Sequence, residues 1–500
     1  MAVLTAEVSV CVAEVPMVAR MAGQTAGPTA ALMVARMVAQ TSGPTAAQTA
    51  GPTAALMVAQ TAGPTAELMV ARTAGPADEE EAEPIRVTIK DPAGGQVPAE
   101  LAAGSVIARL IAVDRDQFAS RYWGREPLLS PAVDLPGGFT ELLDANAIDE
   151  LVSKRGLRTP FLRVAKDGTT LADKAFTAPG GVGAGVPDQV SDDRLVRLFS
   201  DGSTLVLQAL HRVWPPVLEF CQQLAAELGH PVQANAYVTP PQNQGFSAHY
   251  DVHDVFVLQV EGEKQWRIHR PVLDSPLRDQ PWNDRKADVE RRAQEPALME
   301  AVLRPGDCLY LPRGYLHSAT ALGGVSIHLT LGVHVWTRFA LAEQLIDQAL
   351  QSLADKPVMR TSLPLGVDVA NAGEIRTDVE LVTEYLADAL AQADLDQMIE
   401  SLLRRARRNQ RAGPIGPLKQ LRDADAITVD TQIVLRRYLI ASIDHTRSGI
   451  LVRSRAGDLA VSENDVAPLK TLLTTGAATA GELGLELARR LLFAGLAIVE

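Results

Sequence analysis

Positive charge, cysteine and long apolar runs are all scarce in this sequence. With 47 Lys and Arg against 60 Asp and Glu, the chain carries a formal net charge of −13. It therefore lacks the broad basic footprint that nucleic acid or an anionic membrane demands, and direct nucleic-acid binding is not expected. The three cysteines, at 11, 221 and 308, are far apart and odd in number, which offers neither a disulfide framework nor a zinc spacing and fits a reducing cytoplasm. No window approaches an uninterrupted membrane span. Glu7 and Glu14 interrupt the apolar start of the chain, and no basic segment precedes it, so it does not read as a signal peptide. What is present is the material of a soluble globular protein: 500 residues, 47% of them hydrophobic, suffice for two or three domains with ordinary cores.

Residues 1–84 differ from the rest. Thr-Ala/Ser-Gly-Pro recurs from Thr25, Thr41, Thr49, Thr61 and Thr73. Such units are too short for a supersecondary repeat, and each contains a helix-interrupting proline, so a low-complexity, disordered extension is expected, bounded by the acidic run Asp78–Glu83. From Val87 to Ala234 the pattern is mixed. Helices are expected over Ala145–Lys154, Asp192–Phe199 and Val213–Leu228, the last ending at Gly229. Gly180–Val186 lacks the Lys-Ser/Thr of a phosphate loop and is expected to be a flexible loop over a site mouth.

The chemistry concentrates in residues 244–269, QGFSAHYDVHDVFVLQVEGEKQWRIH, and residues 303–317, LRPGDCLYLPRGYLH. His249 and Asp251 are two apart, and a β-strand sends such residues to one face, so imidazole and carboxylate converge. His317 would complete a two-histidine, one-carboxylate site, which leaves positions open on one side of a metal, as in non-haem Fe(II) oxygenases. His253 shares the parity of His249 and Asp251. Residues four apart on one strand are separated by about 13 Å, too far for three facial ligands, so His253 is placed at the pocket rim. Val255–Val260 reads as a strand, Glu261-Gly262-Glu263 as a turn and Lys264–Ile268 as the returning strand. Cys308–Leu311 and Ser326–Leu331 read as further short strands, with Leu309 and Leu311 on one face. Short strands punctuated by Gly and Pro, with ligands facing inward, predict a double-sheet jelly roll of the cupin kind within an α+β chain.

These stretches resemble a family. HYDVHDVFVLQVEGEKQWRIHRP, PRGYLHSA and HLTLG, together with Phe118–Leu129 (FASRYWGREPLL) and the segment NAYVTPPQNQGFSAHYD from Asn235, are similar to the JmjC-type, cupin-like ribosomal oxygenases. The resemblance covers most of residues 110–340. It implies a double-stranded β-helix that binds Fe(II) through His249, Asp251 and His317, with 2-oxoglutarate as cosubstrate. The distal carboxylate of 2-oxoglutarate would be held by Lys264 and joined by Thr330, and Asn235 and Tyr237 would lie beside it. A buried ammonium among strands needs an anion in any case. His328, two residues before Thr330, is expected to face the pocket behind these groups. The resemblance further implies hydroxylation of an arginyl or histidyl residue of a ribosomal protein.

The chain then divides into an extension over 1–84, a catalytic domain over 85–337, a helical region over 338–427 and a winged-helix-like domain over 428–500. Helices are expected over Arg338–Ala354, Asp378–Ala393 and Leu395–Arg408, and the family uses this region to form a homodimer. The basic cluster Arg404–Arg408 with Arg411 reads as a cationic helix terminus. Thr479–Glu482 has capping-box spacing before a helix over Leu483–Phe493, and Gly495–Val499 reads as a closing strand. Arg489 and Arg490 share that last helix with Glu482 and Glu486, which favours protein docking over DNA binding. His211, His230, His269, His334 and His445 read as core or surface residues. Two other functions fit the same motifs: an oxygenase acting on a small molecule or methyl-lysine, and a non-catalytic ligand-sensing regulator.

Overall fold

The computed structural model describes residues 105–500, apart from positions 167, 184, 242, 244–246 and 447. The expected extension over residues 1–84 lies outside the described residues. The centre is a nine-stranded sheet built from β1 (Leu128–Ser130), β2 (Leu162–Lys166), β3 (Thr169–Thr170), β4 (Thr204–Leu207), β5 (Val232–Thr239), β6 (Asp254–His269), β7 (Met299–Leu303), β8 (Cys308–Leu311) and β9 (Leu316–Val333). Its hydrogen-bonded order is β1-β8-β6-β9-β5-β4-β2-β3, with β7 also on β6. Every pairing in it is antiparallel.

The turn expected at Glu261–Glu263 is not a turn. β6 runs unbroken for 16 residues and β9 for 18, and they pair along both halves of their length. The register slips between Leu322 and His328 of β9, opposite Gly262. Gly262 has φ +66, and a Cβ there would meet the Val325 carbonyl oxygen, so the chain bulges where only glycine fits.

The bulge switches the parity of the strand. Before it, Val255 and Val257 line the interior pocket; after it, Lys264 and Trp266 do. On β9 the same switch carries His317 and Ala319 inward in the first half, and His328 and Thr330 in the second. Without an extra residue, one half of each strand would turn its side chains to the wrong face.

The other face of the sheet packs beneath helices. Phe256, Leu258, Val260, Cys308 and Tyr310 join one large core that also holds Ile148 and Leu151 of α1 (Ala145–Lys154), Leu195 of α2 (Asp192–Ser200) and Leu224 of α3 (Pro215–Leu228). The expected helix from Val213 is split in two. Trp214 is extended, and α3 starts at Pro215, because the residue before a proline avoids helical geometry while proline suits the first helical position.

Gly180–Val186 connects the short paired strands Thr177–Ala178 and Gln189–Val190, and its described residues line neither of the two cavities described below. After the barrel come α4 (Arg338–Ala354), α5 (Ala372–Ala391), α6 (Leu395–Asn409) and α7 (Pro417–Ala426). α5 starts six residues before the expected Asp378, where Asn371 caps it.

The C-terminal part has its own apolar core and two small sheets, Gln432–Leu435 with Ala477–Thr479 and Ala497–Val499, and Ser442–Thr446 with Gly449–Ser454 and Gly457–Val461. The capping box at Thr479 and Glu482 forms, yet the helix it starts ends at Leu483. Gly484, at φ +82, breaks it before Leu485–Phe493 begins.

The basic cluster lies in the last turns of α6, as expected, with Arg404 and Arg408 exposed and Arg407 turned inward. Arg407 is buried and donates to Ser442 Oγ at 2.8 Å and to the Ile440 carbonyl at 3.2 Å. Arg404 and Arg407 both approach Glu400, and Arg405 lies over the Trp336 ring at 5.3 Å. No described helix is long and apolar enough to cross a membrane.

Candidate metal centre

His249, Asp251 and His317 come together. One ligand atom from each lies within 4.8 Å of the others, and they are the group of this kind found among the described residues. The HxD pair is not on a regular strand, contrary to the parity expectation. His249 forms an isolated bridge to His317 at the free edge of β9, with reciprocal N–H to carbonyl bonds of 3.2 and 2.8 Å. Asp251 follows in a turn before β6 begins. Convergence thus comes from this bridge.

The ring nitrogens are sorted by hydrogen bonds. His249 Nδ1 donates to the Ser247 carbonyl at 2.8 Å and His317 Nδ1 to the Tyr315 carbonyl at 3.0 Å. In a neutral ring this leaves Nε2 as the lone-pair atom, the tautomer a metal needs. Burial, and then His249 alongside, pull the His317 pKa down to about 4, so the ring is neutral near pH 7. Burial works to raise the Asp251 pKa, but His253, His317, His249 and Arg163 together outweigh it and hold the carboxylate below its usual range.

The backs of the ligand segments are anchored. Tyr250 and Leu316, the sequence neighbours of the ligands, pack with Val289, Val252, Val272 and Trp282, and Tyr250 donates its O–H to the Gln280 carbonyl at 2.9 Å. Asp254 is fully buried; it accepts from Tyr310 O–H at 2.6 Å and from Arg313 N–H at 3.1 Å, and pairs with the Arg313 guanidinium at 3.5 Å. Gly314 N–H donates to the Asp251 carbonyl at 3.0 Å. The turn that leads to His317 is therefore tied to the segment that carries Asp251.

Inside the barrel, Lys264 is buried, with Nζ 3.0 Å from Thr239 Oγ1 and 3.5 Å from His328 Nδ1. His328 stacks on Tyr237 at 4.8 Å and meets Trp266 edge-on at 5.5 Å. Thr330 lines this inner pocket beside Thr204, but the hydroxyl bonded to Lys264 is that of Thr239, a residue the sequence reading passed over. Its signal was there. Thr239 continues the parity of Asn235 and Tyr237 along β5.

Asn235 lines a second, outer cavity with Arg163, Gln208, Gln233 and His253, and its side-chain Oδ1 accepts from Ala209 N–H at 3.0 Å. Tyr237, Asp251 and Thr330 border both cavities. His253 stands outside the ligand group, with Nε2 3.3 Å from Gln233 Nε2.

Residues 212–341, which hold all three candidate ligands and Lys264, match the family model described as JmjC domain. Ribosomal oxygenase 1 of Gallus gallus is 29% identical over 305 residues, which are 58% of this chain and 48% of that protein. The bifunctional lysine-specific demethylase and histidyl-hydroxylase NO66 of Drosophila persimilis is 31% identical over 279 residues, 53% of this chain and 38% of that protein. The chain thus spans less than half the length of these relatives. Among solved structures, Escherichia coli ribosomal oxygenase YcfD superposes with a TM-score of 0.48 at 17% identity, covering 78% of this chain and 98% of that one. The matched segment holds the three candidate ligands and the buried lysine, while Arg163, Thr204, Gln208 and Ala209, which also line the cavities, lie before it.

Proposed function

We propose that this chain is an Fe(II)- and 2-oxoglutarate-dependent oxygenase that hydroxylates an arginyl or histidyl residue of a ribosomal protein. The observation that carries the reading is Lys264. Its buried amine faces a hydroxyl and an imidazole, a setting in which an anion would stabilise the charged form, and it lies in the same pocket as His249, Asp251 and His317. The names of the relatives above support the substrate class.

The residues fit both groups. His249 and His317 Nε2 and the Asp251 carboxylate would hold the iron on one face, which suits a two-histidine, one-carboxylate Fe(II) centre. Lys264 and Thr239 would hold the far carboxylate of 2-oxoglutarate. Bound together, iron and 2-oxoglutarate supply the oxidation: oxygen is consumed, 2-oxoglutarate leaves as succinate and carbon dioxide, and one oxygen atom enters a substrate C–H bond. The chain's own share is orientation and dryness. Tyr237 and His328 wall the pocket between its floor and mouth, Val255, Val257 and Trp266 exclude water, and the Ser247 and Tyr315 carbonyls fix the two rings.

The proposal extends to assembly. Exposed apolar residues on α4 and α5, among them Leu350, Val379 and Val382, support homodimer formation through this helical region. Within the C-terminal part, Arg489 donates to the Ala424 carbonyl and Arg490 pairs with Asp465, which supports a structural or protein-docking, winged-helix-like role over DNA binding. The test is anaerobic Fe(II) loading, then oxygen, 2-oxoglutarate and ribosomal protein, with succinate and a mass gain of one oxygen as readouts. Succinate release that depends on iron and oxygen supports the reading, and its absence with iron bound sinks it.

A further inference from the structure

The outer cavity has a hydrogen-bond inventory of its own. Three of its polar residues are already engaged. Gln208 donates to the Pro160 carbonyl, Asn235 accepts from Ala209, and Gln233 Nε2 meets His253 Nε2 at 3.3 Å. Two atoms are not. Arg163 Nε and His253 Nδ1 are buried with no hydrogen-bond partner, and both residues line this cavity.

Because Gln233 presents an amide N–H to His253 Nε2, that nitrogen accepts, and the neutral ring carries its proton on Nδ1. Both orphans are therefore donors. Arg163 is the second residue of β2, opposite Val206 of β4, and its charge reaches Asp251 and Tyr237. The one carboxylate lining the cavity is Asp251, already engaged as a candidate ligand.

A buried donor without a partner is costly, and an arriving acceptor relieves it. A guanidinium has five donors and no acceptor, so it satisfies neither orphan and sets a second cation beside Arg163. A neutral imidazole has one acceptor nitrogen. We propose that Arg163, assisted by His253, is a specificity-determining residue that makes the outer cavity select histidine over arginine as the side chain to be hydroxylated. This rests on the oxygenase reading above and narrows it.

The experiment uses full-length, Fe(II)-loaded enzyme with oxygen, 2-oxoglutarate and total ribosomal protein, and maps the added oxygen by mass spectrometry. The expected site is a histidine. A peptide spanning that site is then made with His or Arg at the target, and kcat/KM should fall about tenfold to a hundredfold for Arg, as leaving buried donors unpaired implies. Arg163→Glu should narrow this preference at least about tenfold, mainly through KM, whereas Arg163→Lys should retain part of it and guards against a folding artefact.

Oxygen added to arginine, or to no histidine, overturns the proposal. So does an unchanged preference in Arg163→Glu. If no succinate forms at all, the oxygenase reading itself has failed and takes this one with it; succinate without histidine selectivity strikes this proposal alone.

Discussion

Lys264 Nζ and Thr239 Oγ1 lie 3.0 Å apart at the floor of the barrel, on strands brought together only through β9 between them. If this pair receives the far carboxylate of 2-oxoglutarate, Lys264→Ala should raise the 2-oxoglutarate requirement and leave Fe(II) content nearly intact. Removing one partner of a buried charge pair costs on the order of 2–5 kcal/mol, about thirtyfold to several thousandfold in affinity. Thr239→Val should cost less, about tenfold. A 2-oxoglutarate titration read by succinate, paired with metal analysis, checks both.

The same lysine sets a pH dependence. Burial pulls its pKa down from 10.5 to about 7. Between those values the unfolded chain holds a proton that the ligand-free native protein does not, so this group's contribution to stability increases as pH rises from about 7 towards 10.5. Affinity for the dianion runs the opposite way, because binding needs the ammonium. The difference in Tm between the wild-type protein and Lys264→Met, followed from pH 7 to 10, should show the first effect. A constant difference would contradict it.

His249→Ala, Asp251→Ala and His317→Ala should each lose Fe(II), whereas His253→Ala should keep it. Metal content after anaerobic loading and desalting decides the matter. Retention in His317→Ala with loss in His253→Ala would show the ligand assignment to be wrong.

Gly262→Ala should destabilise the protein by on the order of 2–4 kcal/mol, since it combines a left-handed backbone with a collision against the Val325 carbonyl. Urea unfolding measures this. Equal stability would mean that the bulge is not tied to glycine.

Arg407→Ala should cost about 2–4 kcal/mol by removing a buried guanidinium that bonds the Ser442 hydroxyl and the Ile440 carbonyl and by leaving Glu400 with Arg404 alone. Arg404→Ala, on the exposed face of the same helix, should cost under about 1 kcal/mol. Thermal melts of the two variants separate a buried clamp from a cationic surface.

The parts of this molecule legible in the sequence are those governed by local chemistry. The helix over Ala145–Lys154 and the strand Cys308–Leu311 were readable to the residue because periodicity and turn residues bound them on both sides. The candidate ligands were readable from side-chain type, although the strand geometry assumed for His249 and Asp251 was replaced by a bridge to His317. Gly262 was misread because Glu-Gly-Glu has the composition of a turn; what makes it a bulge is Val325, 63 positions away, which no local pattern reveals. Thr239 was missed because its partner is likewise distant. The arginine cluster was readable as a cationic helix terminus, but the burial of Arg407 was not, because its acceptors, the Ile440 carbonyl and Ser442, lie on another part of the chain.

β5 acts as a ruler. Gln233, Asn235, Tyr237 and Thr239 mark successive depths along one face, from the mouth of the outer cavity to the floor of the inner one, a span of about 20 Å. Tyr237 is the graduation shared by both chambers. Substitutions at the two outer marks can therefore redraw which side chain is admitted while leaving the anion seat at the inner mark untouched. On the oxygenase reading proposed above, one strand would carry two separately adjustable settings, what is oxidised and what is consumed to do so, with Tyr237 the mark at which they meet.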